Sequence, residues 1–103
     1  MSAIEKNHKV YVGIGSNINQ GAHIRACIKA LSNEFSNLEL SPIYESSSMG
    51  FDGPNFYNLV AVFETKYDVI KLKKILNAIE RENGRSLGEV KFSSRTLDID
   101  ILY

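Results

Sequence analysis

The chain has 103 residues, a length that favours one domain with a single hydrophobic core. Its 12 Lys and Arg residues balance its 12 Asp and Glu residues, and this formal net charge of zero argues against a dedicated nucleic-acid binder, which usually has a basic excess. No apolar run approaches the length of a membrane span and no signal sequence opens the chain, so we expect a cytoplasmic protein with no membrane partner. The single cysteine, Cys27, cannot form an internal disulfide, and its place on the apolar side of a predicted helix indicates a core thiol.

The first half of the chain predicts a strand, a helix and a second strand. Met1–His8 is polar and predicted to be frayed, while alternating apolar residues over Lys9–Ile14 predict the first strand. Apolar residues at helical spacing predict a helix over Gly21–Phe35. Leu38–Tyr44 is typical of a second strand, in which Pro42 marks an edge or an irregularity.

The second half predicts a loop, a strand, a helix, a connection and a closing strand. Glu45–Asn55 is rich in Ser, Gly and Pro, which is typical of a loop. Phe56–Glu64 has apolar residues on both faces, which favours a strand in the middle of a sheet. Asp68–Gly84 predicts a helix, with the aspartate as its N-cap and the glycine as its C-terminal stop. Arg85–Ser94 predicts a second connection, and Arg95–Tyr103 the closing strand.

The order strand, helix, strand, strand, helix, strand predicts an α+β fold over residues 1–103 as a single domain. It is typical of the ferredoxin-like arrangement βαββαβ, in which a four-stranded antiparallel sheet carries two helices on one face. In this arrangement we expect the first and last strands to be the central pair. The acidic residues of the closing strand would then lie in the middle of the sheet.

The closing strand carries two aspartates in an Asp-x-Asp pattern. Because side chains alternate along a strand, Asp98 and Asp100 are predicted to share one face while Leu97 and Ile99 point to the core. Two like charges on one strand face repel, and Mg²⁺, which binds one or two carboxylates together with substrate phosphates, would offset that repulsion. Arg95 suits a polyphosphate substrate beside such a pair. The alternative is a strand whose polar face is simply solvated, and the Asp-x-Asp pattern alone leaves it open.

Three segments of the chain resemble one enzyme family. Gly13–Asn17 (GIGSN) resembles the family's opening strand and turn, Phe56–Asn58 (FYN) resembles its aromatic-x-Asn pterin motif, and Arg95–Leu102 (RTLDIDIL) is similar to its R-x-x-D-[LIV]-D signature. The family is 6-hydroxymethyl-7,8-dihydropterin pyrophosphokinase, or HPPK, of the folate pathway. The three segments occur in the order and at the spacing of the family, and together they extend over nearly the whole chain.

The resemblance implies transfer of a pyrophosphoryl group from ATP to the hydroxymethyl group of a reduced pterin, with AMP as the second product. It implies that Asp98 and Asp100 hold two Mg²⁺ ions against the triphosphate and that they act in catalysis with Arg85 and Arg95. It also implies two sets of substrate contacts. Those to ATP are Glu80, Arg85, Lys91, Arg95 and Ile101, and those to the pterin are Ser46, Ser48, Met49, Phe56 and Asn58.

Several positions depart from the family pattern. Glu45–Gly50 lacks the prolines of the family's pterin wall, Leu87 stands where some members carry a second arginine, Phe92 stands where tryptophan is usual, and the family's chains usually continue past residue 103. A second hypothesis therefore stays open, a non-catalytic HPPK-like module that binds a pterin, a nucleotide or a protein partner. Phe56 as a core aromatic and Glu80 as a solvated helix-end charge also remain alternatives. With either function we expect a possible homodimer, formed through apolar surface near the end of the chain.

Overall fold

The computed structural model describes residues 3–47, 55–84 and 97–102. In chain order its elements are β1 (Ala3–Ser16), α1 (Gln20–Glu34), β2 (Ser36–Leu40), β3 (Tyr44–Ser46), β4 (Phe56–Tyr67), α2 (Val69–Glu82) and β5 (Asp98–Ile101). The strands of the described part form one antiparallel sheet of five, and with the two helices they make an α+β fold. The sheet thus has one strand more than the sequence predicts.

The core lies between one face of the sheet and the apolar stripes of both helices. The buried strand residues are Val10, Val12, Ile14, Leu59, Ala61, Phe63 and Ile99, and the buried helix residues of the same cluster are Ile24, Cys27, Leu31, Leu72, Leu76 and Ile79. Alternate strand residues and helical residues three or four apart are the ones that become buried, because these spacings place side chains on one face of each element. The apolar periodicity of the sequence therefore predicted the buried faces correctly except at the start of α2, where Val69 is 56% exposed.

Strand β1 is longer than its apolar pattern indicates. The expectation that residues up to His8 are frayed is wrong from Ala3 onward, since β1 pairs with β4 as far as Ala3 opposite Tyr67. A register shift between Ala3 and His8 interrupts this outer part of the ladder. Pairing with a long neighbouring strand supplies hydrogen bonds that a polar segment lacks alone, and so it extends the strand beyond its apolar residues.

Strand β4 lies inside the sheet, as its two apolar faces predicted. It pairs with β1 along one edge and with β2 and β3 along the other. Its burial alternates between half-buried and fully buried residues from Asn58 to Thr65.

The predicted second strand is divided into β2 and β3 at Pro42, which lies in the break between them. Proline has no N–H to donate to a strand ladder. Ser41 keeps the connection close to β4, because its N–H donates to the Val60 carbonyl oxygen at 2.8 Å and its Oγ accepts from the Val60 N–H at 2.8 Å. Glu45 and Ser46, which we expected in a loop, belong to β3.

The order of the strands differs from our expectation at one point that bears on the site. The path runs β2-β4-β1-β5, with β3 also paired to β4. The neighbouring inner strands are therefore β1 and β4, and β5 pairs only with β1 among the described strands. The first and last strands are neighbours but not the central pair, and the two aspartates lie at an edge of the described sheet rather than in its middle.

The helices begin and end close to the predicted positions. Asp68 caps α2, since its Oδ1 accepts from the Lys71 N–H at 2.9 Å. Gly84 follows the end of α2 with a φ of 87°, a left-handed conformation that glycine adopts without steric cost. Neither described helix is long and apolar enough to cross a membrane.

Candidate active site

The two aspartates share one face of β5, as the alternation of the sequence predicts. Asp98 pairs with Gly15 and Asp100 pairs with Gly13 across the ladder to β1. Asp98 is half-buried and Asp100 is exposed, while Ile99 between them is buried against the core. The strand thus anchors its apolar residue in the core and presents its carboxylates on the opposite face of the sheet.

A cavity of about 250 Å³ lies on this opposite face, between β5 and β4. Asp98 and Asp100 line it from β5, and Phe56 and Asn58 line it from β4. Phe56 is half-buried at this cavity and does not belong to the buried core cluster, so the alternative that made it a core aromatic is wrong. Four further residues line the same cavity and were not predicted as site residues: Tyr44, Leu59, Val60 and Leu102.

Glycines of β1 form the floor of this cavity. Gly15 lies between Asn58 and Asp98 in the register of the sheet, and Gly13 lies between Val60 and Asp100. A side chain at either position would project between β4 and β5, because directly paired residues share a face. Because both residues are glycines, the space above β1 stays open and forms a trough that spans two strand spacings, roughly 10 Å.

Asn58 is held by β3 at one end of the trough. Its Nδ2 donates to Ser46 Oγ at 2.8 Å, and Tyr44 lies opposite it in the ladder. A Cβ atom at Gly15 would lie 3.0 Å from Asn58 Oδ1, so the amide oxygen sits directly over the glycine. The structure thus brings together Ser46, Phe56 and Asn58, three of the five predicted pterin contacts.

A second cavity, of about 260 Å³, lies between β5 and α2. Asp98 and Asp100 line it as well, together with Glu80 and Ile101, which the resemblance implied as ATP contacts. Lys73 and Asn77 of α2 also line this cavity and were missed. Lys73 lies four residues before Asn77, which lies three residues before Glu80. This spacing is a signal that could have found them, because residues three or four apart lie on one helix face.

Glu80 is a buried carboxylate rather than a solvated helix-end charge, and that alternative is therefore wrong. Only 7% of the residue is exposed, and its Oε2 accepts from the Ile99 N–H at 2.8 Å. Burial and, to a smaller extent, the nearby negative charge of Glu80 together raise the pKa of the Cys27 thiol to about 12. Cys27 is fully buried, which confirms the expectation of a core thiol.

The model of one protein family, 7,8-dihydro-6-hydroxymethylpterin-pyrophosphokinase (HPPK), matches residues 11–103. The chain belongs to the HPPK family. The match includes both helices and the strands β2 to β5, with β1 from Tyr11 onward. The family assignment therefore rests on more than the Asp-x-Asp motif.

Individual relatives of the HPPK family agree with this assignment. A 2-amino-4-hydroxy-6-hydroxymethyldihydropteridine pyrophosphokinase of Pseudomonas aeruginosa is 39% identical over 101 residues, which cover 91% of this chain and 60% of that protein. An enzyme of the same name from Haemophilus influenzae is 39% identical over 97 residues, with 89% and 59% covered. One from Pseudomonas putida is 36% identical over 97 residues, with 91% and 80% covered. The chain thus spans about three fifths of the length of the first two relatives.

Several residues that the HPPK resemblance implied fall outside the described part of the chain. They are Ser48 and Met49 of the predicted pterin contacts, and Arg85, Lys91 and Arg95 of the predicted ATP contacts. Their roles remain predictions.

The donor set at the carboxylate pair fits a hard divalent cation bound together with substrate. Among the described residues no group of three or more His, Cys, Asp or Glu side chains could hold a metal ion. Two aspartates on one strand face are nevertheless the donor set that suits Mg²⁺, which completes its octahedral shell with water and substrate phosphates. Asp98 and Asp100 are the described residues that would hold it.

Proposed function

We propose that this chain transfers a pyrophosphoryl group from ATP to the hydroxymethyl group of 6-hydroxymethyl-7,8-dihydropterin in folate biosynthesis, releasing AMP. The observation that carries the proposal is that Asp98 and Asp100 border both cavities. A reaction that joins two substrates needs both reacting groups beside the same charge-stabilising residues. A carboxylate pair between two cavities of similar volume meets that requirement.

The cavity between β4 and β5 is the proposed pterin site. A flat bicyclic ring can lie on a floor of two glycines, with the Asn58 amide at one end and Phe56 against a ring face. The side-chain oxygen of Asn58 lies over Gly15 and can accept a hydrogen bond from the ring, while Asn58 Nδ2 donates to Ser46 Oγ. The hydroxymethyl group would then point toward Asp98, at the far end of the trough.

The cavity between α2 and β5 is the proposed nucleotide site. Lys73 and Asn77 add a cationic group and a paired donor and acceptor to the predicted contacts Glu80 and Ile101. From the family resemblance we also propose three phosphate contacts: Arg85, Lys91 and Arg95. Such cationic groups neutralise the charge that develops on a transferred phosphoryl group.

In the proposed step the hydroxymethyl oxygen attacks the β-phosphorus of ATP and releases its proton to water. The bond between the β-phosphorus and the oxygen that bridges to the α-phosphate breaks, and AMP leaves. Mg²⁺, proposed as two ions, supplies the positive charge that neutralises the triphosphate oxygens. Asp98 and Asp100 orient the reacting groups from one rigid strand face, which removes much of the entropic cost of bringing two substrates together.

We further propose that the fold is ferredoxin-like, with β3 as an addition to the four-stranded sheet. The β2-β4-β1-β5 path and the two helices that share one core support this proposal. The cytoplasm as location and a homodimer as assembly stay predictions. Cell fractionation and analytical ultracentrifugation test them.

The deciding experiment measures AMP release from Mg-ATP with and without the pterin alcohol. We expect pterin-dependent AMP from the wild type and a loss of at least a hundredfold in Asp98→Ala. Glu39→Ala is the matched control, because Glu39 is an exposed carboxylate on β2, away from both cavities. Folded protein that binds pterin or nucleotide without releasing AMP would contradict the transferase and leave the non-catalytic module.

A further inference from the structure

We propose that Glu80 is a positioning residue, which fixes the backbone between Asp98 and Asp100 and so holds the two carboxylates in register with the cavities. The inference rests on the pyrophosphoryl transfer proposed above, and it gives Glu80 a role that is separate from contact with the nucleotide.

The observation is a hydrogen bond between a helix side chain and the strand that carries the aspartates. Glu80 Oε2 accepts from the Ile99 N–H at 2.8 Å, in a part of the structure where both residues are buried. Ile99 is the residue between the two aspartates. A displacement of its N–H would therefore move both carboxylates together.

The geometry of the strand explains why this N–H needs a side-chain acceptor. Alternate N–H groups of a strand point to opposite neighbours. The Leu102 N–H donates to the Tyr11 carbonyl oxygen of β1 at 2.7 Å, so the Ile99 N–H, an odd number of residues away, points away from β1. Among the described strands β5 has no partner on that outer side. Glu80 supplies the acceptor that a neighbouring strand would provide.

The arrangement matters because β5 is short and carries repelling charges. It contains four residues, and its two aspartates share one face. The core holds Ile99 through its side chain, and Glu80 holds the same residue through its backbone. A hydrogen bond to a charged acceptor is stronger than one to a neutral acceptor, so a carboxylate suits this anchoring task.

Two substitutions separate positioning from a direct charge effect on the nucleotide. Glu80→Gln keeps a carbonyl oxygen that can accept from Ile99 but removes the charge. Glu80→Met keeps most of the volume and removes the strong acceptor. Glu82 lies on the same helix, is exposed and lines neither cavity of the site, so Glu82→Gln and Glu82→Met are matched controls.

The first measurement is amide hydrogen exchange by NMR without any ligand. In Glu80→Met we expect the protection of the Ile99 amide to fall at least tenfold, while Val12 and Ile14 of β1 keep theirs. In Glu80→Gln we expect protection to be retained and the Ile99 amide proton resonance to move upfield, because its acceptor has lost its charge. Both Glu82 variants should match the wild type. The proposal would be overturned by an Ile99 amide that keeps its protection in Glu80→Met and does not shift in Glu80→Gln. If Glu80→Met does not fold, the Ile99 resonance in Glu80→Gln decides alone.

The second measurement is pterin-dependent AMP release by the same variants. We expect Glu80→Met to lower kcat at least tenfold with a smaller change in the KM for ATP, and Glu80→Gln to restore most of the rate. If Glu80→Met and Glu80→Gln lose the same fraction of the rate while the Ile99 amide stays protected, Glu80 acts on the nucleotide and the positioning role is refuted. Absence of AMP from the wild type would refute the transferase, while the exchange measurement would still decide whether Glu80 holds the strand.

Discussion

At the scale of single residues, the trough exists because two residues of β1 are glycines and have no side chain. Gly15 and Gly13 face the same cavity two residues apart, but their surroundings differ. A Cβ atom at Gly15 would lie 3.0 Å from Asn58 Oδ1, whereas at Gly13 it would meet only Leu102, at 3.8 Å. One added methyl group therefore has different consequences at the two positions.

Gly15→Ala should weaken pterin binding by displacing the Asn58 amide. The displaced oxygen moves away from the position in which it accepts a hydrogen bond from the ring, and one such hydrogen bond contributes about 1 kcal/mol. We expect the KM for the pterin to rise about fivefold, since 1.4 kcal/mol corresponds to a factor of ten. Steady-state kinetics and the side-chain amide resonances of Asn58 measure the two effects.

Gly13→Ala is the matched comparison for this prediction. The added methyl group makes an ordinary van der Waals contact, so the Asn58 resonances should stay where they are in the wild type. Equal changes at Asn58 in the two variants would show that Gly15 has no special part in orienting the amide.

Sequence reasoning at this scale found the carboxylates but not their support. The shared face of Asp98 and Asp100 follows from the strand period alone. The bond from Glu80 to Ile99 joins residues 19 apart, and it depends on how α2 lies against the edge of the sheet. A local pattern contains no information about that packing, which is why a solvated charge was the natural alternative.

At the scale of elements, α2 carries the residues of the second cavity and depends on its first turn. Asp68 Oδ1 accepts from the Lys71 N–H at 2.9 Å, which satisfies one of the donors that a helix leaves free at its start. Asp68→Ala should lower the free energy of unfolding by about 1 kcal/mol, or the melting temperature by about 4–8 °C.

Asp68→Asn tests whether this effect belongs to the cap. Its side-chain oxygen can still accept from Lys71, so it should recover most of the lost stability in a thermal melt. An asparagine variant as unstable as the alanine variant would indicate that the negative charge near the helix start, rather than the hydrogen bond, stabilises α2.

The elements also show which parts of a fold a sequence can predict. The two apolar faces of β4 indicated an interior strand, and β4 does pair on both edges. The Asp-x-Asp strand gave no comparable signal, because one buried face is compatible with an interior or an edge position. The predicted position of β5 in the middle of the sheet was therefore wrong. The neighbours of a strand are set by pairing with distant parts of the chain, which a local pattern does not show.

At the scale of the molecule, the site lies on one face of the sheet and at its edge, and the core lies on the other face. The core includes a stacked aromatic pair, Phe63 of β4 and Phe35 at the end of α1, with ring centroids 4.1 Å apart and an interplanar angle of 17°. This pair joins the first helix to the inner strand that also carries Asn58. The position of Asn58 in the trough therefore depends on packing in the core, on the opposite face of the sheet.

Phe63→Ala should destabilise the whole domain. Phe63 has no exposed surface, and removal of a buried phenylalanine costs about 3–5 kcal/mol through lost burial and the cavity that remains. A domain of this size is stable by about 5–15 kcal/mol, so the variant should lose a large part of its stability and show a much lower urea midpoint. Ile70→Ala is the comparison, because Ile70 is also a large apolar residue but is 67% exposed, and its loss should change stability by less than about 0.5 kcal/mol. Similar urea midpoints for the two variants would mean that the Phe35–Phe63 pair does not organise the core, and that the inner strand is held mainly by its backbone ladder.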